Sequence, residues 1–338
     1  MRICLLGKLT GNIDEGMKNI VFNISSRLSE EHEVLVLNPL DVFSLHFWHS
    51  LKKFNPHIVH YIPGPSLNSF VLVKLISLYL QYLNNKKNIK FVMSAPFPKL
   101  SKVSEKIIHL FRPDLMIVQS KSSEKIFAKR GFKTILLPLS GVDIKKFRPV
   151  KDSVKYKLRE KYNIDVDKFV VLHVGHIKEG RNVQILKKVQ IKNSDIQVVI
   201  VGSTSTRIEE KIYRELINNG CVVIREYING IEELYQLSDC YIFPTTNKFN
   251  CIELPLSVLE AMACNLPVIS TKFRALPEFF TEGEGLIFVD TYNQIFNEII
   301  KLKNINNKDE INTRRKVKPF SWNHIIQKLN NIYERLIL

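Results

Sequence analysis

The sequence predicts an α/β protein built as two doubly wound halves. Short apolar runs of strand length alternate with longer amphipathic stretches from one end of the chain to the other, which is the pattern of parallel sheets covered by helices. The runs fall into two sets of six. Between the sets, residues 138–149 turn at Ser140-Gly141, close on Pro149 and lead into a polar, charged stretch to Lys161. Turn residues, a proline and a composition shift together mark an interdomain connection.

The first set of predicted strands is 2–6, 33–37, 58–61, 90–94, 115–119 and 134–138. The second is 170–174, 197–201, 222–226, 240–243, 268–271 and 285–288. Helical spacing falls on 18–29, 121–129, 207–219 and 232–237. Residues 1–148 and 149–321 are thus expected as two Rossmann-like domains. A last helix in 322–338 follows Phe320-Ser321-Trp322, with Ser321 as its N-cap.

At 338 residues the chain exceeds one ordinary core. Its 45% hydrophobic and 24% charged content is that of a soluble globular protein. Cys4, Cys221, Cys240, Cys251 and Cys264 are odd in number and never in C-x-x-C spacing. Free thiols in a reducing, cytoplasmic compartment are expected, with neither a disulfide framework nor a zinc site. No signal peptide is visible at the start, and the apolar stretch 70–83 is interrupted by Lys74, Gln81 and Tyr82. Net charge is +16, and residues 99–151 hold 13 Lys and Arg against 4 Asp and Glu. Such a surface attracts polyanions. Lys99, Lys102 and Lys106 recur at helical spacing opposite Val103, Ile107, Ile108 and Phe111, which suits either a membrane-surface helix or an ordinary solvated face. No nucleic-acid-binding signature is present, and no G-x-G-x-x-G suggests a dinucleotide enzyme.

Two segments carry candidate chemistry. Residues 169–175 read as a buried strand ending in Gly175, followed by His176-Ile-Lys-Glu-Gly-Arg-Asn182 and a helix from about 183. A strand, a glycine-containing loop and a helix N-terminus make an anion site, with Lys178 and Arg181 at its rim. In residues 253–270, Glu260 lies in an apolar helical run, Glu253 precedes it in a loop, and Asn265-Leu266-Pro267 ends the helix before a buried strand. A carboxylate beside a phosphate site is repelled by the phosphate but accepts hydrogen bonds from sugar or ribose hydroxyls. His57 and His60, three apart in a strand, fall on opposite faces and cannot share a metal.

The run Leu256-Ser257-Val-Leu-Glu260-Ala-Met-Ala-Cys264, continued by Pro267-Val-Ile, resembles the nucleotide-sugar site of the retaining glycosyltransferases of family 4. These have the GT-B fold, in which two Rossmann-like domains face a cleft and a C-terminal helix crosses back to the first. Further resemblance lies in Gly141-Val-Asp143 before Phe147-Arg-Pro149, in Ser238–Thr246 (238–246), where Thr245 replaces the usual Ser, and in Ala275-Leu-Pro-Glu278, where Glu278 caps a helix. The family's Gly-Arg, four residues, Lys-Gly loop becomes Gly175-His176 and Arg181-Asn182. Arg keeps the charge of the Lys it replaces, whereas His176 in place of Arg is mostly neutral, and Lys178 could supply the missing charge. The family's two glutamates have seven residues between them. Here six separate Glu253 from Glu260, and an aligned Gly is Pro255. Residues 93–98 lack the His that many relatives carry near the reacting carbon.

The resemblance implies a metal-independent, cofactor-free, retaining transfer from a nucleotide-diphosphate sugar, by front-face departure of the diphosphate. Arg181, Lys178 and Glu253 would act at the reacting centre. Glu260, His176, Gly175, Leu256 and Ser257 would bind the donor, and Gly16 and Lys18 of the 7–18 loop would approach phosphate and acceptor from the first domain. The acceptor would be a sugar, a lipid-linked molecule or a glycan precursor, with peripheral contact to an anionic membrane and no nucleic acid. Two alternatives stay open: a non-catalytic GT-B protein that binds a sugar nucleotide or a partner, and a GT-B epimerase, whose proton-moving carboxylates and His are not evident.

Overall fold

The computed structural model describes residues 1–11, 15–84, 88–97, 108–305 and 308–338. Cα proximity divides them into two units. One holds Met1–Ser140 with Ile252–Leu254 and Trp322–Leu338, the other Gly141–Cys251 with Pro255–Ser321. Among the described residues each unit carries one six-stranded sheet, parallel throughout.

In the first unit the strands are β1 (Arg2–Leu6), β2 (Glu33–Leu37), β3 (Ile58–Tyr61), β4 (Lys90–Ala95), β5 (Leu115–Val118) and β6 (Thr134–Leu136), ordered β2-β1-β3-β4-β5-β6. Around them lie α1 (Gly16–Leu28), α2 (Leu45–Phe54), α3 (Leu67–Asn84) and α4 (Lys121–Ala128). The central strands read as continuous Val, Ile, Leu and Met runs because both faces of a parallel sheet are covered. One core cluster runs from Cys4 and Leu6 through Val59, Phe70 and Met93 to Phe127.

The second unit contains α5 (Asp152–Lys161), β7 (Phe169–Gly175), α6 (Leu186–Lys192), β8 (Ile196–Gly202), α7 (Glu210–Asn218), β9 (Val222–Ile224), α8 (Glu232–Leu237) and β10 (Cys240–Phe243). It continues with α9 (Leu256–Ala263), β11 (Val268–Ser270), α10 (Leu276–Phe279), β12 (Leu286–Phe288), α11 (Tyr292–Lys303) and α12 (Thr313–Val317). Its order, β12-β11-β10-β7-β8-β9, is the Rossmann order 3-2-1-4-5-6 counted from β7. The order reverses between β7 and β10, so their C-terminal ends open the crevice where such sheets bind ligands.

Residues 141–148 group with the second unit by proximity. Phe147 is the cause: its ring meets Tyr235 edge-on at 5.6 Å, and Arg314 donates to the carbonyls of Ile144 and Phe147 at 2.7 and 2.8 Å. Residues 141–148 are thereby built into the second unit. The expected basic helix of Lys99, Lys102 and Lys106 lies outside the described residues. Beyond it, Ile108–Phe111 is a 3₁₀ turn with Ile108 buried. Among the described residues no helix is long and apolar enough to cross a membrane.

The last helix, α13 (Trp322–Ile337), belongs to the first unit. It buries Trp322, Ile325, Ile326, Leu329, Ile332 and Tyr333, and Arg27 of α1 lies over the Trp322 ring at 5.8 Å. One polar link ties it to the sheet. His60 of β3, fully buried, bonds the Tyr333 hydroxyl at 2.6 Å through Nδ1 and the Ser94 hydroxyl at 2.7 Å through Nε2. A neutral imidazole has one donor and one acceptor nitrogen, so the two hydroxyls satisfy both. His57 has other partners, receiving the Arg2 backbone N–H on Nδ1 at 3.0 Å.

Burial pushes the His60 pKa down to about 3. Because the unfolded chain takes up a proton near pH 6.5 that the folded chain refuses, stability of the first unit falls as pH drops from 6.5 toward 3, by about 1.4 kcal/mol per pH unit. His60→Leu should remove this acid-side slope. At pH 7 the same variant should lose roughly 2–4 kcal/mol in urea unfolding, since it strands two buried hydroxyls.

Candidate functional site

At the switch point, β7 ends in Gly175 and the chain turns through residues 176–185 against the end of β10. This turn is not the helix expected from about 183. It comprises two 3₁₀ turns, Glu179–Arg181 and Val183–Ile185, joined by Asn182 in the left-handed region (φ +57°), and α6 begins only at Leu186. Ile177 and Val183 both sink into the core, which holds the loop too close to the sheet for a helix to start there. Asn182 donates to the Pro244 carbonyl at 3.2 Å, and the Thr245 hydroxyl donates to the Arg181 carbonyl at 3.4 Å. A Cβ on Gly180 would stand 1.8 Å from Asn250 Nδ2, so the Asn250 side chain packs directly over this glycine and would have to turn aside for any larger residue.

Arg181 is 93% buried and its Nε finds no hydrogen-bond partner among the described residues; nor does Nε2 of His173, which is fully buried on β7. His173 Nδ1 lies 2.9 Å from the Ile242 carbonyl. A carbonyl only accepts, so the proton sits on Nδ1 and Nε2 presents a lone pair. A Cβ on Gly175 would lie 3.3 Å from that Nε2 and 3.8 Å from Arg181 Nη1. The glycine therefore keeps open a small space shared by an unsatisfied acceptor and a guanidinium. Burial pushes the His173 pKa down to about 4, with Arg181 and His176 lowering it further and the Ile242 carbonyl opposing them.

The loop sequence draws the eye to His176, but His173 is the histidine that the fold leaves with an unsatisfied nitrogen. The available signal was alternation: 171, 173 and 175 share one face of β7, and His173 is the lone polar residue in an apolar run. His176 itself is half-buried, as is Lys178, whose carbonyl accepts the Arg181 N–H at 2.9 Å.

A row of aromatic rings leads from this space to Glu260. The His173 ring stacks on Tyr241 (6.4 Å, 17°), Tyr241 lies 5.8 Å from Tyr235, and the Tyr235 hydroxyl donates to Glu260 Oε2 at 2.7 Å. The Tyr241 hydroxyl donates to the Val174 carbonyl at 3.3 Å and also bonds Ser257. Glu260 is the fifth residue of α9, a full turn beyond its start, so the helix dipole does not account for it. The residue as a whole is half-buried, but protein atoms crowd its carboxyl, and this burial pushes the pKa up to about 7 against the Tyr235 hydrogen bond and the Lys146 charge. Leu256 is buried at the head of α9 and Ser257 is half-buried beside it.

Of the other expected residues, Glu253, Gly16 and Lys18 belong to the first unit and Glu278 to the second. Glu253 lies in the three-residue segment that groups with the first unit; it is wholly buried, and both carboxylate oxygens take the Ser123 hydroxyl, at 2.8 and 2.9 Å. Gly16 is the first residue of α1, and Lys18 is buried on that helix with its ammonium turned toward Gly11. Glu278 sits in the first turn of α10, whose N-cap is Ala275.

Comparison with known proteins gives this site a context. Residues 154–318 match the family described as glycosyl transferases group 1. Over 248 residues the chain is 25% identical to an uncharacterized glycosyltransferase of Methanocaldococcus jannaschii, and over 253 residues 26% identical to the capsular polysaccharide biosynthesis glycosyltransferase CapM of Staphylococcus aureus. The matches take in 67% and 69% of this chain but only 58% and 64% of those proteins. The chain also superposes on Anabaena HepE, solved with UDP-glucose, with a TM-score of 0.78 at 15% identity over 99% of this chain and 100% of that one. The fold is α/β GT-B.

Glu260 sets a pH dependence. Its folded pKa stands above the unfolded value near 4.5, so its favourable contribution is present below pH 4.5 and lost as pH rises through about 7. In the ligand-free protein, the melting temperature of the second unit should fall over that range, and Glu260→Gln should flatten the decline.

Proposed function

We propose that this chain is a retaining, metal-independent glycosyltransferase of family 4 type that uses a nucleotide-diphosphate sugar. The observation that carries the reading is the aromatic row with Glu260 at one end and Arg181 and His173 at the other. A nucleoside diphosphate needs an acceptor for its ribose hydroxyls and a cation for its phosphates. Glu260, once ionised, is such an acceptor. Arg181, desolvated and with Nε uncommitted among the described residues, is such a cation. His173, neutral at pH 7, presents a lone pair suited to a hydroxyl rather than to a phosphate oxygen.

In the transfer, the bond from the anomeric carbon to the diphosphate oxygen breaks and a bond to the acceptor oxygen forms on the same face. The acceptor's proton leaves with the diphosphate. Arg181, assisted by Lys178, stabilises the charge growing on the leaving group. The donor rests on the second unit, near Gly175, His176, Leu256 and Ser257. The acceptor, lipid-linked or a glycan precursor, is received by the first unit through Gly16 and Lys18. The protein would work in the cytoplasm, peripheral to the membrane. Burial of Glu253 against Ser123 favours one second reading: a protein that binds the sugar nucleotide without turning it over.

A thermal-shift panel of UDP-, GDP- and ADP-sugars tests the site, since a ligand of the native state raises the melting temperature. One nucleotide class should give a shift that Arg181→Ala and Glu260→Ala each abolish; no shift with any class would sink the proposal. Affinity for that donor should fall by about tenfold from pH 8 to pH 6 as Glu260 takes up its proton, and Glu260→Gln should bind weakly at both. Proton NMR of the product should show the donor's anomeric configuration retained. A shift without transfer or donor hydrolysis would favour the non-catalytic reading.

A further inference from the structure

Glu253, the carboxylate expected at the reacting centre, is wholly buried and has both oxygens on the Ser123 hydroxyl. A sugar carried on a diphosphate at Arg181 therefore needs another group to rest against, close to Arg181 and open to solvent. The loop that follows β10, residues 244–251, lies in that position. Its start is fastened to the Arg181 turn: the Pro244 carbonyl accepts from Asn182, the Thr245 hydroxyl donates to the Arg181 carbonyl, and Asn250 packs over Gly180. On its other side it is fastened to the turn after β11, where the Thr271 hydroxyl donates to the Thr245 carbonyl at 2.5 Å and Arg274 Nε donates to the Lys248 carbonyl. Within the loop, Asn247 Oδ1 accepts the Phe249 N–H at 3.0 Å and the Asn247 carbonyl accepts the Asn250 N–H at 3.2 Å.

This well-tied loop displays Phe249, which is 68% exposed. The neighbouring rings show that the fold can absorb phenylalanines here: Phe243 of β10 and Phe273 are both buried and meet edge-on at 5.4 Å. Phe249 is instead held out, with the Arg274 guanidinium over its ring at 5.7 Å. Arg274 has φ +42°, a left-handed backbone that glycine adopts freely and a long side chain does not. Strain of this kind gathers at ligand-contacting loops. A pyranose carries its hydroxyls around the rim and C–H groups on its faces, and a C–H face packs on an exposed phenyl ring. A guanidinium against the same phenyl ring fixes its orientation.

We propose that Phe249 is the platform on which the donor's pyranose ring rests, with Arg274 as the residue that positions it. This chain would then hold its sugar by stacking on a C–H face rather than through Glu253. The inference rests on the donor-site reading above and deepens it by naming a specificity-determining residue.

Calorimetric titration of the full chain with UDP and UDP-glucose, GDP and GDP-mannose, and ADP and ADP-glucose tests it. Within the pair that binds, the ratio of the two affinities isolates what the sugar contributes. Phe249→Ala should weaken the sugar nucleotide by about tenfold while the bare diphosphate stays within about twofold of wild type. Phe249→Trp, which keeps an aromatic surface, should preserve the wild-type ratio. Arg274→Gly suits the left-handed backbone, so a lowered ratio in that variant would trace to the guanidinium and not to a distorted turn. Because Phe249 is exposed, the melting temperature of Phe249→Ala should match wild type. A ratio unchanged in Phe249→Ala would overturn the proposal. Equal weakening of both ligands would overturn it too, since the loop would then only support the Arg181 turn. Failure of every bare diphosphate to bind wild type would instead remove the donor-site reading, and this inference with it.

Discussion

Glu260 is a carboxyl group held where its own charge is disfavoured, kept in place by one hydroxyl, that of Tyr235. The rest of the second unit is arranged around that bond. Tyr235 comes from α8 and meets Phe147 of the connecting segment, which explains why residues 141–148 fold with this unit. Tyr241 from β10 continues the row to His173 on β7. The two strands that flank the switch point are therefore bridged by aromatic side chains as well as by their ladder. A carboxyl in such surroundings is costly to the ligand-free fold, and the cost is relieved by any ligand that brings hydroxyls to it. Strain of this kind commonly marks a binding site.

The first unit shows the opposite use of buried polarity. His60 is satisfied on both nitrogens by Ser94 and Tyr333, so nothing remains for a ligand, and the triad serves to fix the terminal helix to the sheet. His173 has the same residue type, the same burial and one nitrogen left over. Comparing the two histidines separates a structural imidazole from a candidate ligand contact more clearly than their sequence neighbourhoods do.

Much of the fold was legible because parallel strands, covered on both faces, write themselves as unbroken apolar runs; all twelve appear among the described residues. Glu260 was legible through its surrounding motif. Less could be read where the outcome depends on atoms distant in sequence. Glu253 is paired with Ser123, 130 residues away, which no local pattern announces, although its altered spacing from Glu260 was visible. The helix expected after Asn182 yields to 3₁₀ turns because Ile177 and Val183 are drawn into the core. An orphaned nitrogen on His173 is a property of the assembled site, which the neighbouring sequence does not announce.

The most direct test of the central claim is a crystal structure with the nucleotide diphosphate that raises the melting temperature most. The account predicts ribose hydroxyls donating to Glu260, with a phosphate oxygen on Arg181 and the base ordered beside the second sheet. A nucleotide bound elsewhere, leaving Glu260 held by Tyr235 alone and Arg181 without a phosphate contact, would contradict it.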